Sequence, residues 1–151
     1  MSIPERYIPE VLSKTDYAKQ KANIKKSRKL YQKGIYYQRP KVKSFKTKKS
    51  RHLEHARQLY GIQKIVPSRE LAIKTKCSQK SLEKIVNKGR GAYYSSGSRP
   101  NQTAESWGIA RLASAITGGK SSVIDYHILK SGCKPNSIAL RKATQKKRYP
   151  L

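Results

Sequence analysis

The sequence predicts a mainly α-helical protein with little strand. It would have a small helical core, α or α+β, joined to a long extended basic N-terminal arm. Three observations lead there. Apolar residues recur at helical spacing in several short segments that open on Ser or Thr. Apolar content is 36% of 151 residues, low for a compact globule of that length. The formal net charge is +27, and the first 50 residues hold 15 Lys and Arg against three acids. Self-repulsion at that charge density opposes compaction unless a polyanion or an acidic surface neutralises it.

The expected arm covers residues 1–61. Ser13 or Thr15 caps a helix that runs to about Lys33, with Gly34 as the residue that ends it. Tyr17, Ile24 and Tyr31 recur every seven residues, with Leu30 beside the last. That is a narrow apolar stripe on a cationic helix, suited to lying along a partner. Ile35 to Phe45 reads as extended, because Pro40 disfavours helix on both sides. Ser50 then caps a short helix bearing Leu53, Ala56, Leu59 and Tyr60, which Gly61 terminates.

A core domain is expected over 62–140. Ser68 caps a helix from Arg69 to about Thr75, and Ser78 caps another from Gln79 to about Asn87. About three residues separate them, a spacing compatible with a helix-turn-helix, although Lys76, Cys77 and Ser78 stand where a turn Gly is common. Two ordinary core helices give the same pattern. The segment 89–103 reads as a loop between helical patterns. Thr103 caps a helix from Ala104 to Thr117 with Ile109, Leu112, Ala113 and Ile116 on one face, and Gly118-Gly119 stops it. Trp107 lies off that face. Ser122–Leu129 alternates, with Ile124, Tyr126 and Ile128 on one side and Asp125 and His127 on the other, and reads as a strand. Ile138 to about Gln145 reads as the last helix, followed by a basic tail within 141–151.

The bulk composition narrows the chemistry. Cys77 and Cys133 are far apart, with no Cys-x-x-Cys and no clustered histidines, so no metal site is expected. Two separate buried thiols fit a reducing compartment, and one disulfide between them is the alternative. No apolar run approaches the ~18 residues of a membrane span. The Gly-rich segment lacks the Lys-Ser/Thr ending of a phosphate-binding loop. Its start, Gly89-Arg90-Gly91-Ala92-Tyr93-Tyr94, slightly resembles a segment of poly-ADP-ribose polymerase-type transferases, but the other elements of that pattern are missing. No cofactor, no small-molecule substrate and no enzymatic activity are expected.

Binding is therefore the expected chemistry. Lys25, Lys26, Arg28, Lys29, Lys41, Lys43, Lys46, Lys48 and Lys49 can neutralise phosphates without reading sequence. Tyr17, Tyr31, Tyr36, Tyr37 and Phe45 can anchor the arm on a protein surface or stack on bases. Arg90, Tyr93, Tyr94 and Arg99 are the candidate contacts of the 89–103 segment, which could equally stabilise its own fold by side-chain to backbone bonds.

The segment from Gly89 to Thr103, then Ser106-Trp107 and Ala110-Arg111-Leu112-Ala113-Ser114, resembles an uncharacterised basic domain family of nucleocytoplasmic large DNA viruses. Tyr7-Ile8-Pro9, Leu12-Ser13, Lys26-Ser27 and Gly34-Ile35-Tyr36-Tyr37 followed by Arg39-Pro40-Lys41 extend the likeness over most of the chain. The resemblance implies a setting: a large icosahedral virus with an internal membrane and a double-stranded DNA genome. In that setting the expected role is a virion structural protein, most simply a minor capsid protein that tethers neighbouring capsomers through its basic arm. The expected partners are the major capsid protein and minor capsid neighbours, with DNA or inner-membrane head groups also within its chemistry. The expected location is the virion, after synthesis in host cytoplasm or nucleus. The alternative is a DNA-binding protein packaged with the genome, with 68–88 as a possible helix-turn-helix.

Overall fold

A computed structural model describes residues 2–48 and 50–149 of the chain. Among them are a single 3-10 turn, Glu5–Tyr7, and eight α-helices: α1 (Lys14–Gln32), α2 (Arg51–Tyr60), α3 (Arg69–Thr75), α4 (Gln79–Ser95), α5 (Ala104–Ile116), α6 (Lys120–Ile124), α7 (Tyr126–Gly132) and α8 (Ile138–Arg148). The mainly helical expectation holds. The helices fall into two units. One joins residues 1–48 to 90–107, and the other joins 49–89 to 108–151. The units interleave along the chain, whereas the sequence reading ran in three consecutive blocks.

The expectation of a long extended basic arm is corrected. Residues 2–48 form a folded layer around the end of α4 and the turn after it. Ser13 caps α1 by accepting from the Asp16 N–H at 3.1 Å. The buried stripe of α1 is Gln20, Ile24 and Ser27, spaced by four and three, so the helix face is part apolar and part polar. Ile24 packs with Tyr7 and Ile8, and Trp107 covers this cluster, its ring edge-on to Tyr7 at 5.8 Å. The partner along which α1 lies is thus its own chain.

The larger core belongs to the other unit. Leu71, Leu82, Ile85, Val86, Leu112, Ile116, Leu129, Ala139 and Ala143 are buried together. Burying each large aliphatic side chain contributes roughly 1.5–3 kcal/mol. Serines cap four helices here: Ser50 for α2, Ser68 for α3, Ser78 for α4 and Ser137 for α8. Tyr60 reaches from α2 to donate its hydroxyl to the Ile116 carbonyl, and burial raises its pKa.

Three local expectations are corrected. Helix α4 does not stop near Asn87 but runs through Gly89 and Gly91 to Ser95. The reason is packing: a Cβ at Gly89 would stand 2.5 Å from the Gly108 Cα, so α4 and α5 cross with their backbones in contact. Helical glycines cost about 1 kcal/mol each relative to Ala, and here the close approach offsets it. The expected strand at 122–129 is instead the pair α6 and α7. Ser122, Asp125, Ile128 and Leu129 face inward at helical spacing, while Ile124 is 55% exposed, so the apparent alternation was coincidental. Asp125 is fully buried. Arg111 grips it with two bonds of 2.8 Å, and Lys88 lies 3.5 Å away. The expectation of two separate thiols fails as well, because Cys77 and Cys133 form a disulfide.

Candidate nucleic-acid interface

The first seven residues of the 89–103 segment are the last two turns of α4. The remaining turn, 96–103, is held by the N-terminal layer. Arg39 is the centre of that contact. Its guanidinium donates to the Tyr93 carbonyl at 2.7 Å, the Ser98 hydroxyl at 2.8 Å and the Ser27 hydroxyl at 3.0 Å. It also stacks 3.8 Å from the centre of the Tyr93 ring, and the Arg39 N–H donates to the Tyr93 hydroxyl. Burial pushes the Arg39 pKa down, and the surrounding tyrosines push it back up. The guanidinium makes no ion pair with a carboxylate among the described residues. It is satisfied by carbonyl, hydroxyl and ring groups, the arrangement a buried charge requires.

Further contacts close the layer. Arg28 donates through Nε to the Ser96 carbonyl at 2.9 Å, Ser27 donates to the Tyr94 carbonyl, and the Gln20 amide reaches the Tyr7 carbonyl. Asn101, with φ of 64°, bonds the backbone of Val42 and Phe45. Gly97 takes φ of 127°, and a Cβ there would stand 3.1 Å from both Ile24 and Tyr7. Thr103 and Ser106 cap α5 reciprocally, each hydroxyl accepting from the other's backbone N–H at 3.0 and 2.9 Å. The motif is therefore a fold determinant.

The expected partner anchors separate accordingly. Tyr93 is fully buried and is not available to a partner. Arg90 is ion-paired with Glu105, its Nε 2.8 Å from the carboxylate. Tyr31, Tyr36 and Tyr94 form one ring cluster, in which Tyr36 is 68% exposed. Desolvation and the neighbouring Tyr93 raise the Tyr94 pKa. Tyr37 donates to Asn23 and carries the Lys26 ammonium over its ring at 4.6 Å. Phe45 is half-buried, and Tyr17 and Arg99 are exposed.

Among the expected polyanion contacts, Arg28 is committed to the Ser96 carbonyl. Lys25, Lys26, Lys29, Lys41, Lys43, Lys46 and Lys48 are exposed, and Lys49 lies outside the described residues. None of these seven lysines makes an ion pair among the described residues. Three of the acids are held by other groups. Asp16 accepts from the Ser44 hydroxyl at 2.6 Å and the Ser44 N–H at 2.9 Å, and those two bonds hold its carboxyl below its ordinary pKa. Glu105 is taken by Arg90, and Asp125 by Arg111 and Lys88.

The helix pair at 68–88 has a defined geometry. Ser68 caps α3 by accepting from the Leu71 N–H at 3.1 Å, and Leu71 and Thr75 point into the core. Lys76 then adopts the left-handed conformation, φ 57° and ψ 35°, where a turn Gly is common. Cys77 turns inward and is tied to Cys133. Ser78 N–H donates to the Gly132 carbonyl, and Lys134 N–H to the Lys76 carbonyl, each at 2.8 Å. Ser78 opens α4 by accepting from the Ser81 N–H. Ser81, Leu82, Ile85 and Val86 face the core, while Gln79, Lys80, Glu83, Lys84, Asn87 and Lys88 are exposed.

The sequence reading missed Arg39, Gln20 and Ser27 as site-forming residues. The available signal was weak: Gln20 and Ser27 flank Ile24 at helical spacing.

A family model matches residues 4–131, and its description is a family of unknown function, DUF5824. The matched span takes in the N-terminal layer, the α3–α4 pair and the whole 89–103 segment. No curated protein and no solved structure matches the chain.

Proposed function

We propose, for a chain that belongs to the DUF5824 family, a non-enzymatic nucleic-acid-binding role as a structural protein packaged with the genome of a large DNA virus. The viral setting comes from the motif resemblance, and the binding chemistry from the surface. The observation that carries the reading is the set of exposed lysines within 25–48 that make no ion pair among the described residues. Lys25 and Lys29 sit one helical turn apart on α1, and Lys41, Lys43, Lys46 and Lys48 follow on a segment pinned by Asn101 and Asp16. Like charges one turn apart destabilise a helix by about 0.2–0.5 kcal/mol per pair, a cost that phosphates would reverse. A folded cationic face binds phosphate backbones without first paying to order a flexible arm.

The test is a salt titration of the full chain on short duplex DNA, followed by fluorescence anisotropy. The expected result is a loss of affinity of roughly 1000-fold between 50 and 200 mM salt. Changing Lys25, Lys29, Lys41 and Lys46 to Gln should flatten the salt slope by about one per lysine. Salt-independent binding, or none at 50 mM, would sink the reading.

A minor capsid role is the second reading, favoured by one observation. Ile35 and Tyr36 are 49% and 68% exposed, adjacent large apolar groups that a neighbouring capsid protein could cover. Cross-linking inside intact particles separates the two: cross-links from Lys33 to capsomer proteins favour it, and cross-links from Lys25 and Lys29 to DNA favour the first.

A further inference from the structure

We infer that α3, its turn and the first half of α4 are a base-reading element, with α4 entering the major groove of B-form duplex DNA. The inference rests on the nucleic-acid reading above and gives it a specific surface.

The first argument is geometric. A helix-turn-helix requires a short first helix, a tight turn of three or four residues and a second helix whose outer face is free of the core. Here Arg69–Thr75 and Gln79–Ser95 are joined by three residues, 76–78, and Lys76 carries the left-handed backbone that makes the turn. The inward positions Leu71, Thr75, Cys77, Leu82 and Ile85 knit the two helices into the larger core. The turn is also clamped from behind. The disulfide to Cys133 and the bonds to Gly132 and Lys134 hold it on the side opposite the exposed face of α4. A reading helix works only if its register is rigid, and this one is braced at its start.

The second argument is the chemistry of that face. Two stripes run along it at four-residue spacing. Lys80, Lys84 and Lys88 form one, and Gln79, Glu83 and Asn87 form the other. The lysines suit phosphates. The second stripe does not. Phosphate binding gives no use for Glu83, which repels phosphates and makes no ion pair among the described residues. Gln and Asn pair with both polar groups on the adenine edge, and Glu accepts from the cytosine amino group, so this stripe carries the donors and acceptors of base recognition. Gln79 donates to the Pro67 carbonyl at 3.2 Å in the free protein, an exposed bond that a base edge could replace. Lys88 also faces Asp125 at 3.5 Å, which ties the far end of its stripe to the core. Double-stranded RNA has a major groove too narrow for a helix, so B-form DNA is the occupant this surface fits.

The experiment is selection of the full oxidised chain on a randomised duplex DNA library, followed by affinity measurements on selected and scrambled duplexes at fixed salt. The inference expects one enriched sequence, bound at least 1000-fold more tightly than the scrambled duplex. Gln79→Ala and Glu83→Ala should each reduce that ratio by roughly tenfold and relax the preference at one base position. Their circular dichroism melts should match those of the parent chain. Lys25→Gln should weaken both duplexes alike and leave the ratio unchanged. Enrichment that survives Gln79→Ala and Glu83→Ala together would overturn the assignment to α4. Salt-dependent binding with no enriched sequence would overturn base reading and leave the phosphate-binding role standing. Failure to bind any duplex would remove both.

Discussion

The side chain of Asn101 pairs with the backbone of Val42 in both directions. The Val42 N–H donates to Oδ1 at 2.7 Å, and Nδ2 donates to the Val42 carbonyl at 3.1 Å. A third bond, from Nδ2 to the Phe45 carbonyl at 3.0 Å, extends the clamp. One amide thus does for the 42–45 segment what a neighbouring strand would do.

Asn101→Gly keeps the positive φ and loses the three bonds. At about 1 kcal/mol per bond it should cost about 2–3 kcal/mol. Asn101→Ala adds the left-handed strain of an L side chain and should be about 1 kcal/mol worse than Gly. Urea denaturation measures both, and trypsin should cut at Lys41, Lys43 and Lys46 faster in each variant. If Ala proves the milder change, the strained turn is not as described.

Gly89→Ala tests the crossing of α4 and α5. In an exposed helix this change would stabilise by roughly 1 kcal/mol. Here the new methyl meets the Gly108 backbone at 2.5 Å, which cannot give way as a flexible side chain would. Overpacking of this kind costs about 1–3 kcal/mol or more, so the net effect should be destabilising. A raised melting temperature would contradict the contact.

Asp125 is a buried carboxylate held by Arg111. Asp125→Ala leaves the half-buried Arg111 without its partner and should cost about 3–5 kcal/mol. The double replacement Arg111→Leu, Asp125→Leu should be less damaging than Asp125→Ala alone, because no charge is left stranded. Chemical denaturation of the two variants decides it, and a double replacement no milder than Asp125→Ala would argue against a coupled pair.

Asp16 should make stability depend on acid pH through Ser44. Its folded pKa lies below the ordinary value of 3.8, chiefly because the Ser44 hydroxyl donates to it. The unfolded chain therefore binds the proton first as pH falls. The contribution is full above about pH 3.8 and is lost as pH falls through the folded value. Ser44→Ala should move the Asp16 titration, followed by carboxyl NMR, up towards 3.8. An unmoved titration would remove Ser44 as the cause.

The Cys77–Cys133 bond closes 56 residues of sequence separation. Reduction should lower unfolding stability by about 2–4 kcal/mol. Alkylation of the native chain should label neither cysteine until reductant is added.

Helix starts were legible because capping is local. Ser13, Ser50, Ser68 and Ser137 each satisfy an N–H three residues ahead, and the following residues show the helical spacing. The ends at Gly34 and Gly61 were legible for the same reason, as both take positive φ. The continuation of α4 through Gly89 and Gly91 was not, because Gly is a poor helix former and only the facing Gly108 explains it. The alternation at 122–129 misled because a short window can fit two periods, and the burial of Asp125 depends on Arg111, 14 residues away.

The sequence by itself determined a basic, mainly helical protein with most of its caps in place. Those properties follow from composition and from contacts within one turn of helix. Only the tertiary structure decided what the first 48 residues do. Their charge and sparse apolar stripe describe an arm as well as a folded layer. The difference lies in Arg39 and Asn101, whose bonds to Ser98 and Val42 each span 59 residues. Such bonds leave no local pattern, because each partner is an ordinary polar or backbone group until the chain brings them together.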